Sequence, residues 1–304
     1  MELTRELFAP QSAAEGQAEA IHRPSLTYWQ DAWRRLKKNK MAMAGLVVLT
    51  IMSLMAIIGP HMTPYSYSDQ DLQSTVQPPS AKHWLGTDDL GRDQFTRIWM
   101  GARVSLFIGL MAALLDLIIG ATYGGISGYL GGRVDDIMMR IVEVLYAIPF
   151  MILVILLMVI IGGGLFSIIL AMSITGWVGM ARLVRGQMLQ LKEQEFVLAA
   201  KTLGADPGRI ILRHLIPNTM GPILVSMTMT IPAAIFTEAF LSFIGLGVRM
   251  PLASWGTLAN DGYNLMRLAP WMLLYPALAI GITMLAFNMF GDGLRDALDP
   301  RLRK

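Results

Sequence analysis

The sequence predicts an all-α integral membrane protein of six transmembrane helices, with both termini in the cytosol. Three observations predict it. Of 304 residues, 54% are hydrophobic and only 15% charged, where a soluble domain carries about 25% charged residues. The charges are gathered between uncharged runs long enough to cross a hydrocarbon core of ~30 Å at ~1.5 Å per residue. Counting crossings from an N-terminus inside, 19 of the 25 Lys and Arg residues fall on one face and 6 on the other. That imbalance marks the richer face as cytosolic.

Taken in order, residues 1–40 form a polar cytosolic tail ending in a basic juxtamembrane cluster, Arg34-Arg35-Leu36-Lys37-Lys38-Asn39-Lys40. The apolar run Met41–Gly59 makes a retained first span (41–60), since a cleaved signal is shorter and ends in small residues. Residues 61–103 read as an extracellular loop and an interfacial helix. In that helix Phe95, Ile98, Trp99, Ala102 and Leu106 share helical spacing, which would put Trp99 near the headgroups.

Residues 104–291 hold five further helices. The second span runs from Val104 to about Gly125. Gly120, Gly124, Gly128 and Gly132 lie four apart, a smooth ridge for close helix approach. Between Val144 and Ala181 no residue is charged; the run is too long for one helix, and Gly162-Gly163-Gly164 divides it into spans three and four. Pro149 should kink the first of these. Span five covers Met220–Gly245 with Pro222 and Pro232, and span six covers Pro270–Phe290. Residues 292–304 form a cytosolic tail.

The charged interval 182–218 reads as helix, glycine elbow, helix. Phe196, Ala200 and Leu203 share one apolar stripe. Gly204 stands where a helix needs a left-handed cap. Asp206 then Pro207 supply an N-cap and a first-turn proline.

Catalytic chemistry is hard to build from this chain. No cysteine is present, so disulfides, thiolate metal sites and cysteine nucleophiles are excluded together. Neither GxxxxGK[ST] nor HExxH occurs, so neither a phosphate-cradling loop nor a zinc protease motif is encoded. No His or Lys shares a span with a Ser or Thr that it could activate. No metal or nucleic-acid partner is expected. Three acidic residues lie near the bilayer: Asp116 in span two, Glu143 at the start of span three and Glu238 toward the outer end of span five. Such groups face protein or water. Asp116 and Glu238 fit either a hydrated path or a neighbouring helix; Glu143 and Asn288 fit interhelical hydrogen bonds.

Ala199-Ala200, three residues, Gly204, nine residues and the approach to Pro217 resemble the cytosolic loop of binding-protein-dependent ABC importer permeases, E-A-A-x3-G-x9-I-x-L-P. Leu198, His214 and Ile216 stand here at the motif's Glu, Ile and Leu. Four further stretches resemble the C-type subunit of peptide and nickel permeases: residues 85–93 (LGTDDLGRD) with 101–106, residues 128–132, Ser254-Trp255-Gly256-Thr257, and residues 291–300. Within that group the chain is most similar to oligopeptide permease C-subunits, with dipeptide and nickel importers as alternatives.

The resemblance implies a type I ABC importer permease fold in a bacterial or archaeal inner membrane, and a non-catalytic role. It implies a homologous B-type permease subunit, two cytosolic ATPases that use ATP and Mg, an extracellular solute-binding lipoprotein and a peptide cargo. It assigns ATPase coupling to Ala199, Ala200, Leu203, Gly204, Ala205, Asp206, Pro207 and Arg209, with Ala200, Leu203 and Gly204 at the centre of the contact and Lys201, Arg209 and Arg213 at its rim. A different class, a proton-coupled secondary transporter using Asp116 or Glu238, would show internal repeats with interrupted helices; none is clear in the sequence.

Overall fold

A computed structural model describes residues 27–299, and among them the regular structure is helical. The polar start of the N-terminal tail (1–26) and the last five residues lie outside the described residues. The basic cluster is not an extended tail but a helix, α1 (Tyr28–Lys38), opened by a capping box between Thr27 and Gln30. Ala32 and Leu36 are buried, Trp29 and Trp33 are exposed, and Arg34, Lys37 and Lys38 are exposed on the polar side. Asn39 ends α1 and starts α2 (Lys40–Ile58), its side chain accepting from the amides of Met41 and Ala42 at 3.1 Å.

The next helix, α3 (Gln94–Leu130), is 37 residues long. It absorbs the expected interfacial helix, whose first turns are covered by protein: Gln94 through Ile98 are all buried. The apolar spacing was real, but the loop before the helix and α11 (Trp255–Asn264) cover it instead of lipid. Trp99 stacks on Gly59, where any Cβ would sit 2.5 Å from its ring.

After Gly131, at φ +66°, the chain reverses into α4 (Gly132–Ala147). Gly132 therefore opens a new helix and is not part of the glycine ridge. Pro149 does more than kink its span. It has no N–H and holds Ile148 extended, so α4 and α5 (Phe150–Ile161) meet at a 79° bend. The Gly162–Gly164 turn leads to α6 (Leu165–Thr175), and Gly176 joins it to α7 (Trp177–Leu191). α7 carries the fourth span past Arg182 and Arg185, so the charged interval begins inside a long helix.

Beyond the cytosolic elbow, α9 (Pro207–Ile210), a π-turn (Ile211–Leu215) and α10 (Ile216–Phe243) form one 37-residue helical run. α12 (Trp271–Leu298) runs eight residues beyond the predicted end of span six at Phe290. Gly291 and Gly293, just past the predicted end of the span, bring α12 against Thr228 of α10 and Ala42 of α2. Among the described residues five helical runs are long and apolar enough to cross a membrane, and the count reaches six when the bent α4–α5 pair is taken as one span. Asn288 lies exposed and makes no interhelical hydrogen bond, and Glu143 pairs with Arg140 on its own helix at 2.8 Å.

Three ridge glycines seat α3 on α7. A Cβ on Gly120 would lie 2.6 Å from Met180 Cβ, one on Gly128 2.7 Å from Met188 Cβ, and one on Gly124 would overlap the Ala181 carbonyl. Small residues at such a crossing let backbones touch, which is where packing energy arises between helices in lipid.

The outer end is closed by a buried ionic knot built from the LGTDDLGRD stretch. Asp88 accepts from Arg92 Nε and Arg97 Nη1, both at 2.7 Å, and from the Leu90 and Arg92 amides. Arg97 Nη2 reaches Asp261 of α11 at 3.3 Å. His83 Nδ1 lies 2.9 Å from Asp93, which caps α3 through the Thr96 amide. Two guanidiniums thus face Asp88, Asp89 and Asp261, one carboxylate in excess. Burial, with Asp89 and Asp88 nearby, pushes the Asp261 carboxyl up to about 6, while Arg92 pulls the other way. A carboxyl raised above its unfolded value of ~3.9 holds its proton more tightly when folded, so stability falls as pH rises from about 4 through about 6. Asp261→Asn is expected to melt with the wild type near pH 4 and above it beyond pH 6, in a detergent melting series. A wild-type advantage at pH 7.5 would contradict this.

Candidate translocation and coupling site

The cytosolic elbow is built by local sequence. α8 (Glu195–Thr202) ends in a Schellman motif: the Gly204 amide donates to the Lys201 carbonyl and the Ala205 amide to the Ala200 carbonyl, both at 3.0 Å. Gly204 has φ +79°, with open space where a side chain would be, so the backbone angle alone demands glycine. Asp206 then caps the next helix, its carboxylate accepting from the Gly208 amide at 2.9 Å and the Arg209 amide at 3.2 Å, with Pro207 in the first turn.

The inward face of the elbow is Val197, Ile210 and Leu215, all buried, with Ala200 and Ala205 packed beside them. Its outward face is apolar. Leu203 is 88% exposed, Leu198 51% and Phe196 42%. Ala199, Pro207 and Arg209 are also exposed. The sequence stripe Phe196–Ala200–Leu203 is thus split, with Ala200 half turned to the chain's own core. Lys201 is exposed, with its ammonium 5.3 Å from the Tyr129 ring. Behind the elbow, Arg185 clamps Asp135 with two hydrogen bonds at 2.5 Å, and Ser127 donates to the same carboxylate. This fixes α7 to the α3–α4 turn.

At membrane depth the two predicted carboxylates differ. Glu238 is fully buried, accepting from Ser105 of α3 at 2.9 Å and Ser242 at 2.6 Å, with Ser254 bonded to Ser242 at 3.3 Å. It joins α3, α10 and the start of α11, which fits the second of its two sequence readings, a hydrogen bond to a neighbouring helix. Asp116 opens onto a cavity of about 310 Å³. Phe150, the Thr175–Gly176 junction, Thr230 and Thr237 line that cavity with it. The broken span α4–α5 has its break next to this cavity, as helices that line binding sites often do. The lining threonines escaped the sequence reading, whereas the break was expected at Pro149 as a kink.

The profile of the family described as binding-protein-dependent transport system inner membrane component matches residues 105–304. The chain belongs to this family. Residues 27–79 of this inner membrane component also match the N-terminal TM domain of oligopeptide transport permease C. It is 59% identical over 300 residues to the dipeptide transport system permease protein DppC of Bacillus subtilis, covering 98% of this chain and 94% of that one. It is 57% identical over 302 residues to the oligopeptide transport system permease protein OppC of the same organism, covering 99% of each. OppC of Escherichia coli K12 is 43% identical over 291 residues, covering 95% and 96%. Among solved structures, the MetNI methionine ABC transporter in inward-facing conformations aligns with TM-score 0.54 at 19% identity, over 66% of this chain and 97% of that one. That alignment establishes a shared type I importer permease fold. As an inner membrane component of this family, the chain is a multi-pass permease subunit.

Proposed function

We propose that the chain is the membrane subunit of an ATP-driven peptide importer, passing peptides, oligopeptides foremost, handed over by an extracellular binding protein. A homologous B-type permease completes the path, and two cytosolic ATPases use ATP and Mg. The single observation that carries the coupling is the exposed apolar face at Phe196, Leu198 and Leu203. Such residues are worth burying, and on a rigid capped elbow they offer an ATPase a preformed contact. Closure of the ATPases then moves α10, which is continuous with the elbow and borders the Asp116 cavity. The similarity to both OppC and DppC supports a peptide cargo. The test is reconstitution of the chain with its partners in proteoliposomes, measuring uptake of dipeptides and longer peptides. Uptake is expected with ATP and binding protein, and absent with a proton gradient alone. Gradient-driven uptake without ATP would instead favour a secondary transporter.

A further inference from the structure

We infer that the Asp116 cavity receives the protonated amino terminus of the passing peptide, an inference that rests on the peptide-import reading. Asp116 is 7% exposed and makes no hydrogen bond or ion pair among the described residues. A carboxylate at membrane depth without a partner is costly, and a cation beside it offsets that cost. Two of the three threonine hydroxyls in the lining have their protons committed elsewhere, which leaves Thr175 as the one uncommitted hydroxyl. Thr230 donates its hydroxyl proton to the Ser226 carbonyl at 3.2 Å, and Thr237 donates to the Ala233 carbonyl at 2.8 Å. Each is left able only to accept. No Lys or Arg lines the cavity. A peptide carboxylate would meet the Asp116 carboxylate and at most the Thr175 hydroxyl, with no cation, while an ammonium brings three donors to Asp116 and the threonines.

Gly176 keeps the approach clear: a Cβ there would sit 2.6 Å from Asp116 Oδ1. The amino terminus is the one cation that unblocked peptides share whatever their side chains. Recognising it serves a path that must accept many sequences and hold each only briefly.

The chain has no cysteine, so Ala233→Cys, at the cavity wall, gives a single thiol on this subunit. In the assembled complex, the cationic aminoethyl methanethiosulfonate is expected to modify it at least about tenfold faster than the anionic sulfonatoethyl reagent, after correction for their rates on free cysteine. Asp116→Asn should abolish that preference. A tripeptide with a free amino terminus should slow the cationic reagent, and its N-acetyl form should not. A preference that survives Asp116→Asn, equal protection by both peptides, or no labelling in any nucleotide state would overturn the inference. Peptide uptake is measured in matched vesicles carrying the unsubstituted chain. Its absence would defeat the peptide-import reading, whereas normal uptake with a charge preference indifferent to Asp116 would defeat this inference alone.

Discussion

Leu203→Asp is expected to leave the chain folded and inserted while cutting ATP-driven uptake at least about 30-fold. At 88% exposure this side chain contributes almost nothing to the chain's own packing, so its removal costs the subunit little. In the assembled importer it would sit inside an apolar contact, where a carboxylate without a partner is strongly disfavoured. Loss of a central interface anchor costs about 2 kcal/mol or more, which corresponds to that fold-change. The measurement pairs uptake with ATP hydrolysis in the same vesicles: uptake should fall while basal hydrolysis persists. Gly204→Pro should have the same phenotype by another route. Proline can neither donate to the Lys201 carbonyl nor adopt φ +79°. Ala200→Trp, pressed against the chain's own core, should distort the elbow as well. Wild-type uptake in all three variants would remove the coupling assignment.

The second large effect is expected at Gly124. Its missing side chain is where the Ala181 carbonyl of α7 passes, so even Gly124→Ala must push α3 and α7 apart. Overpacking of this kind costs typically ~1–3 kcal/mol, and Gly124→Leu more, because an isobutyl group has no space to enter. Complex yield after extraction and the melting temperature should both fall, in the order glycine, alanine, leucine. The neighbouring Gly125 is the control. A Cβ there meets nothing closer than 3.7 Å, so Gly125→Ala should keep its yield. Equal behaviour of the two alanine variants would show that the ridge is not what holds these helices together.

The features legible in the sequence are those made by neighbouring residues. Gly204, Asp206 and Pro207 announce an elbow because a left-handed cap, a side-chain cap and a first-turn proline each act within a few residues. Pro149 announces a break for the same reason, although its 79° depth depends on how the two halves pack. What stayed hidden depends on partners far apart in the chain. Asp88 and Arg97 meet Asp261 across more than half of the protein's length, and Glu238 finds serines from three segments. No local pattern could assign them.

Ambiguous signals account for the rest. Apolar spacing at Phe95, Ile98 and Trp99 is the same whether lipid or protein covers it. Glycine marks both the end of a helix and a place where another helix comes close, and Gly291 and Gly293 are the second kind. Asp116 was visible as an isolated charge, but the threonine hydroxyls around it look unremarkable in the one-dimensional string.

The unbroken run from Pro207 to Phe243 has a mechanical corollary. At ~1.5 Å per residue its 37 residues make a rod of about 55 Å. If the rod pivots at its cytosolic tip by about 5°, its outer tip sweeps about 5 Å, close to the width of a peptide backbone. A small stroke delivered at the elbow is therefore geared up with distance, so the aperture farthest from the motor opens widest. Pro222, Pro232 and the π-turn are the points where that rod can flex, and stiffening them should change how far a given stroke travels.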